Sequence, residues 1–393
     1  MKKNILFVIS NDNIGGPQKS LLALLERLDY TLFNIDVMIL NPSGNLKELF
    51  PKEVNVLKAD KLLTAFTMPS DSIFYTLGVF LKELKIRQFI LALKAMFNYK
   101  IKKRPMNQER QKFWVENSKH LEQSDKNYDF AFGILGLSTY YVVDCVNAEK
   151  KYHWIRSDSR MLNRDVGIEN YYFKKIDGAL SVSQECESIF NDMYPYMNGR
   201  TKVFYNYLPL SFYDSFSDNT VLSKDSINLI TVARLDPLKG LDLAIKACKL
   251  LVDKGYEIKW YVLGDGKGRK EIEKMIEEYS LQEVMILFGF KLNTLQYIKQ
   301  TDIFVHPSRA EGKSNAVDEA KYAGVPIVVT NYPTVKEQID NEYNGLIAQF
   351  DEVDLSNKIE RLIKDKELAK TLGQNSINEQ NEVVDPNSFL CSL

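Results

Sequence analysis

Cysteine is scarce and scattered: Cys145, Cys186, Cys248 and Cys391 are the four in 393 residues, with no C-x-x-C spacing and no dense framework. That distribution excludes a disulfide-stapled fold, offers no basis for thiolate metal or redox chemistry, and suits a reducing cytosol. No uninterrupted apolar run reaches about 18 residues, the length a membrane-crossing helix needs. The basic start "MKKNILFVIS" has a short apolar run that ends in "NDNIGG" without a small-residue cleavage site, so it reads as a first strand rather than a secretory signal. Internal repeats and low-complexity tracts are missing too. Net charge is nearly absent, at -1, but the balance is uneven along the chain. Residues 1–210 carry 29 Lys+Arg against 23 Asp+Glu, and the remainder carries 22 against 29. Most of the basic excess lies in 81–112, "LKELKIRQFILALKAMFNYKIKKRPMNQERQK", with ten basic residues and two acidic ones.

What is present is a composition of 45% hydrophobic and 26% charged residues, that of a soluble globular chain. The length implies two domains of roughly 150 to 200 residues. The first opens with a strand at Asn4 to Ser10, a turn at Gly15 and Gly16, an amphipathic helix "KSLLALLERL" and a second strand "FNIDVMIL". That is a βαβ unit, which implies a parallel sheet covered by helices. Beyond the basic segment, "YDFAFGIL", "KYHWIR", "GALSVS" and "TKVFYN" continue the strands. A Ser-, Asp- and Pro-rich stretch at 207–226 lacks periodicity and reads as a linker between domains 1–206 and 227–375. After it, strands "LITVARL", "IKWYVLG", "VMILFG", "IFVHPS" and "PIVVTN" alternate with helices, which predicts a second open α/β sheet. Residues 376–393 read as a polar tail. In such sheets ligands bind beyond the carboxyl ends of the strands, so the chemistry is sought in the loops there.

Three loops stand out. "VARLDPLKG" places Arg234 and Lys239 around a Pro-containing turn, a fork and a point charge able to clamp a diphosphate. "VLGDGKGRKEIE" has Gly264, Gly266 and Gly268 at alternate positions, unlike a dinucleotide G-x-G-x-x-G, with Gly264 placed for backbone contact to a nucleoside. "AEGKSNAVDEAKYAGVP" places Glu311 and Glu319 eight residues apart, with a helix beginning near Ser314 or Asn315, Asn315 and Asp318 spaced as a capping box, and Gly312 allowing close backbone approach. Each has a plainer reading when taken alone: a surface charge pair, a tight turn, an ordinary capped helix. A glycosidase pair of carboxylates is also conceivable, but such pairs stand about 5 to 9.5 Å apart across the scissile bond, whereas eight helical residues rise about 12 Å. His153 and His306 read as packing residues.

Taken together, these stretches resemble the family 4 glycosyltransferases of the GT-B fold, retaining enzymes that use nucleotide-sugar donors. The resemblance rests on "GGPQKSLLALL", "LSVSQECESIF", "TVARLDPLKGLDLAIKA", "WYVLGDGKGRKEIE" and "IFVHPSRAEGKSNAVDEAKYAGVPIVVTNYPTVKEQI", nearly the whole chain. It implies two Rossmann-like α/β domains facing across a cleft, with Arg234 and Lys239 on the donor diphosphate, Glu319 on the ribose and Glu311 at the transferred sugar. Gly16, Gly264, Gly312, Ser314 and Asn315 would complete the donor site. A nucleotide-sugar substrate, expected to be UDP-linked, is implied; no cofactor or metal is, and there is no D-x-D motif. Arg156 stands where many relatives carry a histidine, and is expected on the acceptor side. The expected function is transfer to a lipid-linked glycan acceptor in bacterial surface polysaccharide or glycolipid assembly. The chain would be cytoplasmic and touch the anionic inner leaflet through 81–112, with no nucleic-acid partner. Two other outcomes keep the fold and change the function: a catalytically silent scaffold for a glycosyltransferase complex, and a nucleotide-sugar epimerase.

Overall fold

The computed structural model describes residues 2–69, 73–134, 136–216, 220–223, 225–378 and 384–393. Contacts divide the chain into two units, residues 1–205 with 384–393, and residues 206–383.

The first unit is built on seven parallel strands, Lys3–Ile9 (β1), Phe33–Ile39 (β2), Asn55–Lys58 (β3), Asn127–Ile134 (β4), Asn147–Ile155 (β5), Gly178–Ser181 (β6) and Thr201–Val203 (β7). Their order is β3-β2-β1-β4-β5-β6-β7. The central strand β1 is buried along Ile5–Ile9, as a strand covered on both faces must be, and its register with β4 runs from Ile5 opposite Phe130 to Ile9 opposite Ile134. Helix Gly16–Leu25 follows at once, with Pro17 in its first turn, where a missing N–H costs nothing, and buries Leu21, Leu22, Leu24 and Leu25. The basic segment forms parts of helices Ile73–Lys82, Ile86–Lys100 and Met106–Asn117. Among the described residues no helix is long and apolar enough to cross a membrane.

The C-terminal residues expected as a polar tail contain the end of a helix, Lys366–Asn378, and a short helix Pro386–Cys391; residues 379–383 lie outside the described residues. The short helix belongs to the first unit: Leu390 is buried, the Phe389 ring stands 4.6 Å from that of Phe204, and the Asp29 N–H donates to Asn387 Oδ1 at 2.7 Å. Polar composition concealed it because few residues, Pro386, Phe389 and Leu390, carry its apolar contact.

His153 lies inside this unit, as expected. Its Nδ1 is 2.7 Å from Thr139 Oγ1 and its ring packs on Phe173 and Phe190. Burial drives its pKa down to about 3. The folded chain therefore resists a proton that the unfolded chain takes near 6.5. Stability from this group is complete above that pH and is lost as pH falls toward 3, by about 1.4 kcal/mol per pH unit. Denaturant titrations should show about 2 kcal/mol lost between pH 6.5 and 5. In His153→Gln that slope should flatten; an unchanged slope would place the acid sensitivity elsewhere.

The second unit carries six parallel strands, Ile227–Val232 (β8), Ile258–Leu263 (β9), Met285–Gly289 (β10), Ile303–His306 (β11), Ile327–Thr330 (β12) and Leu346–Ala348 (β13), ordered β10-β9-β8-β11-β12-β13. The buried Trp260 ties three of them together. Its Nε1–H donates to Thr231 Oγ1 at 3.0 Å, and that hydroxyl donates to Val305 O at 2.8 Å. Both sheets thus place the strand that follows their first crossover reversal, β4 or β11, beside their first strand, β1 or β8. That adjacency is the topological switch point at which the loops diverge and leave a crevice.

Candidate functional site

At the switch point of the second sheet the loops after β8 and β11 meet. The β8 loop is pinned from behind by the glycine turn after β9. Gly264 has φ +140, and a Cβ there would stand 1.9 Å from Ala233 O; at Gly266 it would stand 2.5 Å from Leu235 O. The alternating glycines are therefore required by close backbone approach between two loops. On the other side, Gly240 has φ +66, and its Cβ would fall 1.9 Å from Pro307 O, so only glycine lets the β8 loop lie against the β11 loop. Arg309 locks the contact, with its guanidinium bidentate to Asp242 at 2.7 Å and one nitrogen also donating to Pro237 O.

This packing carries Lys239 onto Glu311. The Lys239 ammonium is 2.7 and 2.8 Å from the two carboxylate oxygens, and His306 Nε2, at the end of β11, is 2.8 Å from Glu311 Oε1. Side-chain exposures of 16% and 11% make this a largely desolvated pair. Burial alone would raise the Glu311 pKa, but the Lys239 charge and the His306 hydrogen bond outweigh it and hold the carboxyl down at about 2. Stability from this pair is therefore full above the usual carboxyl value of 4.5 and is lost as pH falls toward 2. Glu311 is ionised at neutral pH and serves as an acceptor, not as an acid. His306 Nδ1 and the Tyr332 hydroxyl are buried without hydrogen-bond partners, and the Tyr332 ring stands edge-on to His306 at 6.0 Å. Burial first, and then the Glu311 charge, raises Tyr332 well above its ordinary pKa.

Other expected site residues are placed as follows. Arg234 projects from the β8 loop, 78% exposed, and bridges to Asp236 at 3.0 Å. Gly312 and Ser314 are buried in the β11 loop. Ser314, not Asn315, caps helix Asn315–Ala323 by accepting from the Val317 N–H. The expected Asn315–Asp318 capping box does not form, because Asp318 pairs with Lys313 at 2.6 Å and accepts from Gln338, while Asn315 Oδ1 accepts from Asn206. Gln338 also exchanges two hydrogen bonds of 2.8 Å with the Ser314 backbone, fixing the helix start.

Glu319 does not share the Lys239 cluster. It lies one turn into the helix on the face of Asn315, is 2% exposed, and accepts from the Tyr213 hydroxyl at 2.5 Å and the Thr294 hydroxyl at 2.6 Å. The segment that supplies Asn206 and Tyr213 was expected to end the first domain and begin the linker. It contains helix Leu210–Ser215 and packs on this face; Ser217, Asp218, Asn219 and Lys224 of the expected linker lie outside the described residues. In the first unit, Gly16 opens the helix after β1. Arg156, just beyond β5, donates to Ser20 Oγ at 2.7 Å and lies over the Trp154 ring at 5.2 Å. Burial lowers its pKa to about 9, which leaves it charged at neutral pH.

Sequence reasoning did not find His306, Tyr213, Thr294 or Gln338. His306 alone carried a usable signal, its position at the carboxyl end of the strand beside the first strand of its sheet.

Two such doubly wound parallel sheets in one chain are the GT-B architecture, and solved structures of that class share it. Anabaena HepE, crystallised with UDP-glucose, matches with a TM-score of 0.67 at 17% identity over 100% of both chains. WaaG, a glycosyltransferase involved in lipopolysaccharide biosynthesis, matches at 0.62 and 14%, over 98% of each. Residues 213–379 match the family model of the glycosyl transferases group 1. That stretch contains Arg234, Lys239, His306, Glu311 and Glu319. Curated relatives include a putative colanic acid biosynthesis glycosyltransferase, WcaL of Escherichia coli, 31% identical over 130 residues, which is 31% of this chain and 32% of that protein. Another is the capsular polysaccharide biosynthesis glycosyltransferase CapM of Staphylococcus aureus, 28% identical over 156 residues, 39% of this chain and 41% of that protein. The matched stretches span less than half the length of these relatives.

Proposed function

We propose that the chain is a retaining glycosyltransferase that moves a sugar from a nucleotide donor, UDP-linked, to a glycan acceptor in bacterial surface polysaccharide or glycolipid assembly. The observation that carries this reading is the Lys239–Glu311–His306 cluster at the switch point of the second sheet. A diphosphate leaving group needs fixed positive charge where its own charge grows, in a site that excludes water. Lys239 is held for that by Glu311, with Arg234 on the same loop as a second, exposed cation. The Glu311 carboxylate, ionised throughout the physiological range, accepts hydrogen bonds from hydroxyls of the transferred sugar and orients it. A glycosidase with a carboxyl pair needs one of the two kept protonated, a part for which Glu311 is not suited. In the proposed reaction the acceptor oxygen bonds to the anomeric carbon on the face from which the diphosphate leaves. The anomeric C–O bond breaks, and the acceptor proton passes to the departing phosphate oxygen. Glu319 holds the ribose diol, its carboxylate oriented by Tyr213 and Thr294.

The acceptor is proposed to be lipid-linked. Helices Ile73–Lys82 and Ile86–Lys100, the turn between them and the turn after them expose Phe74, Leu84, Ile90, Phe97 and Ile101 among many lysines and arginines, a combination suited to an anionic leaflet. Reversing Lys100, Lys102, Lys103 and Arg104 to glutamate should reduce co-sedimentation with vesicles containing phosphatidylglycerol by at least about tenfold, at roughly 1 kcal/mol per basic residue. Undiminished sedimentation would remove this surface from the account.

The whole reading is tested by incubating the purified chain with labelled nucleotide sugars and a membrane lipid extract, then analysing lipid and aqueous products. Label on an acceptor, matched by released nucleoside diphosphate, is expected. Free epimerised donor would make the chain an epimerase. No turnover beside an active partner, with turnover restored by that partner, would make it a scaffold.

A further inference from the structure

The first sheet has its own switch point, between β1 and β4, and a cavity of about 530 Å³, counting the part open to solvent, lies there. Asn11 and Asn13 after β1, Asn41 after β2, Thr67, and Arg110 from helix Met106–Asn117 line it. An adjoining cavity shares Arg110 and adds Gln111, Tyr140 and Arg164. Among the described residues no aspartate or glutamate lines either one. We infer that this pair of cavities recognises an anionic group, a phosphate or a carboxylate, on the acceptor. Only the word acceptor rests on the glycosyltransferase reading; the preference for an anion rests on the walls.

Both arginines are held from behind, which is what preorganised recognition needs. Arg110 Nε donates to Thr67 O at 3.1 Å, fixing the plane of the guanidinium at the junction of the two cavities. Arg164, with 10% of its side chain exposed, pairs with the buried Glu169 at 3.0 Å, and Glu169 also accepts from the Tyr194 hydroxyl. The Arg164 loop is tied to the Arg110 helix through Gln111, whose Oε1 accepts from the Asp165 N–H at 2.6 Å while its Nε2 donates to the Tyr140 hydroxyl at 2.7 Å. The remaining polar wall is made of asparagine amides and small hydroxyls, donors suited to phosphate oxygens and to neighbouring sugar or polyol hydroxyls, with Leu40, Pro69 and Leu137 between them. Leu137, which lines both cavities, begins helix Ser138–Cys145 without a side-chain cap, so the positive end of that helix adds to the same preference.

An apolar acceptor group would have to desolvate these amides and guanidinium groups with no return, and a cation would meet no carboxylate among the described lining residues. The anion could belong to a soluble polyol phosphate or to a lipid phosphate, which present the same chemistry to Arg110.

The test is calorimetric titration of the full chain, in saturating UDP to occupy the second unit, with glycerol 3-phosphate, glucuronate, glycerol and a short-chain phosphatidic acid. At least one anion should bind and glycerol should not. Arg110→Gln should weaken anion binding at least about tenfold, the weight of one charge-assisted contact, with UDP binding unchanged as the check on folding. Arg110→Lys, which keeps the charge and loses the fork, should fall between. Preference for phosphatidic acid over glycerol 3-phosphate would assign the anion to a lipid, and the reverse to a soluble glycan or polyol. Absence of anion binding, or equal binding by wild type and Arg110→Gln, overturns the inference. Anion binding through Arg110 in a chain that binds no nucleotide would leave this site standing and remove the nucleotide-sugar reading instead.

Discussion

On the proposed reading, Lys239→Ala should lose sugar transfer by about 10²- to 10³-fold, the usual weight of one preorganised group on developing charge, and it should also destabilise the chain. Removing the ammonium leaves the Glu311 carboxylate largely buried with only His306 on it. Breaking a buried pair from one side costs about 3 kcal/mol or more, which for a unit of this size is a fall in Tm of roughly 6–12 °C. Loss of activity in this variant alone is therefore ambiguous. The double variant Lys239→Met with Glu311→Gln separates the two effects, since removing both charges removes the penalty. Thermal unfolding of the double variant should return to within about 1 kcal/mol of wild type, while transfer stays at the level of Lys239→Ala. Recovery of both together would mean that the ion pair serves the fold and not the chemistry.

The loops that meet at this cluster were legible in the sequence, and most of the contacts that fix their residues were not. Arg234, Lys239 and the two glutamates stand out only in combination, since each loop alone also reads as a surface charge pair or an ordinary capped helix. The glycines at 240 and 264 look like ordinary turn residues until the backbone that crosses them, Pro307 O and Ala233 O, is known. Glu319 read as the ribose end of a donor site whose sugar end is Glu311; its helix turns it toward Tyr213, which lies more than one hundred positions earlier in the chain. No local pattern reports a contact across that separation. His306 was read as packing, because a histidine ending an apolar strand is usually that. The strands that escaped notice are both at sheet edges: β3 is short and half-exposed, and β13 is only three residues long. Interior strands announced themselves because burial on both faces demands an unbroken apolar run, and an edge strand needs none.

The second large effect is expected at Glu319. Glu319→Ala removes the acceptor shared by two buried hydroxyls, Tyr213 and Thr294. Tyr213 and Thr294 also hydrogen-bond to each other, so the variant should lose about 1–3 kcal/mol, the cost of one buried polar group deprived of its partner. If Glu319 also holds the ribose, nucleotide affinity should fall at least about tenfold beyond what partial unfolding explains. Tyr213→Phe distinguishes the two contributions. It removes one hydrogen bond to the carboxylate and leaves the carboxylate in place, so it should lower Tm modestly while UDP affinity changes by less than about threefold. Calorimetry on folded protein of both variants, below their transition temperatures, reads the difference. Unchanged affinity in Glu319→Ala would assign this residue to holding helix Asn315–Ala323 against the Asn206–Tyr213 segment, and the ribose to other groups.

The central claim is that the Lys239–Glu311–His306 cluster is the donor site, and equilibrium binding of UDP to stability-matched proteins tests it most directly. Titration of wild type and of the Lys239→Met, Glu311→Gln double variant, at temperatures where both are fully folded, should show a Kd at least about tenfold weaker in the variant. Equal Kd values in the two proteins would contradict the account.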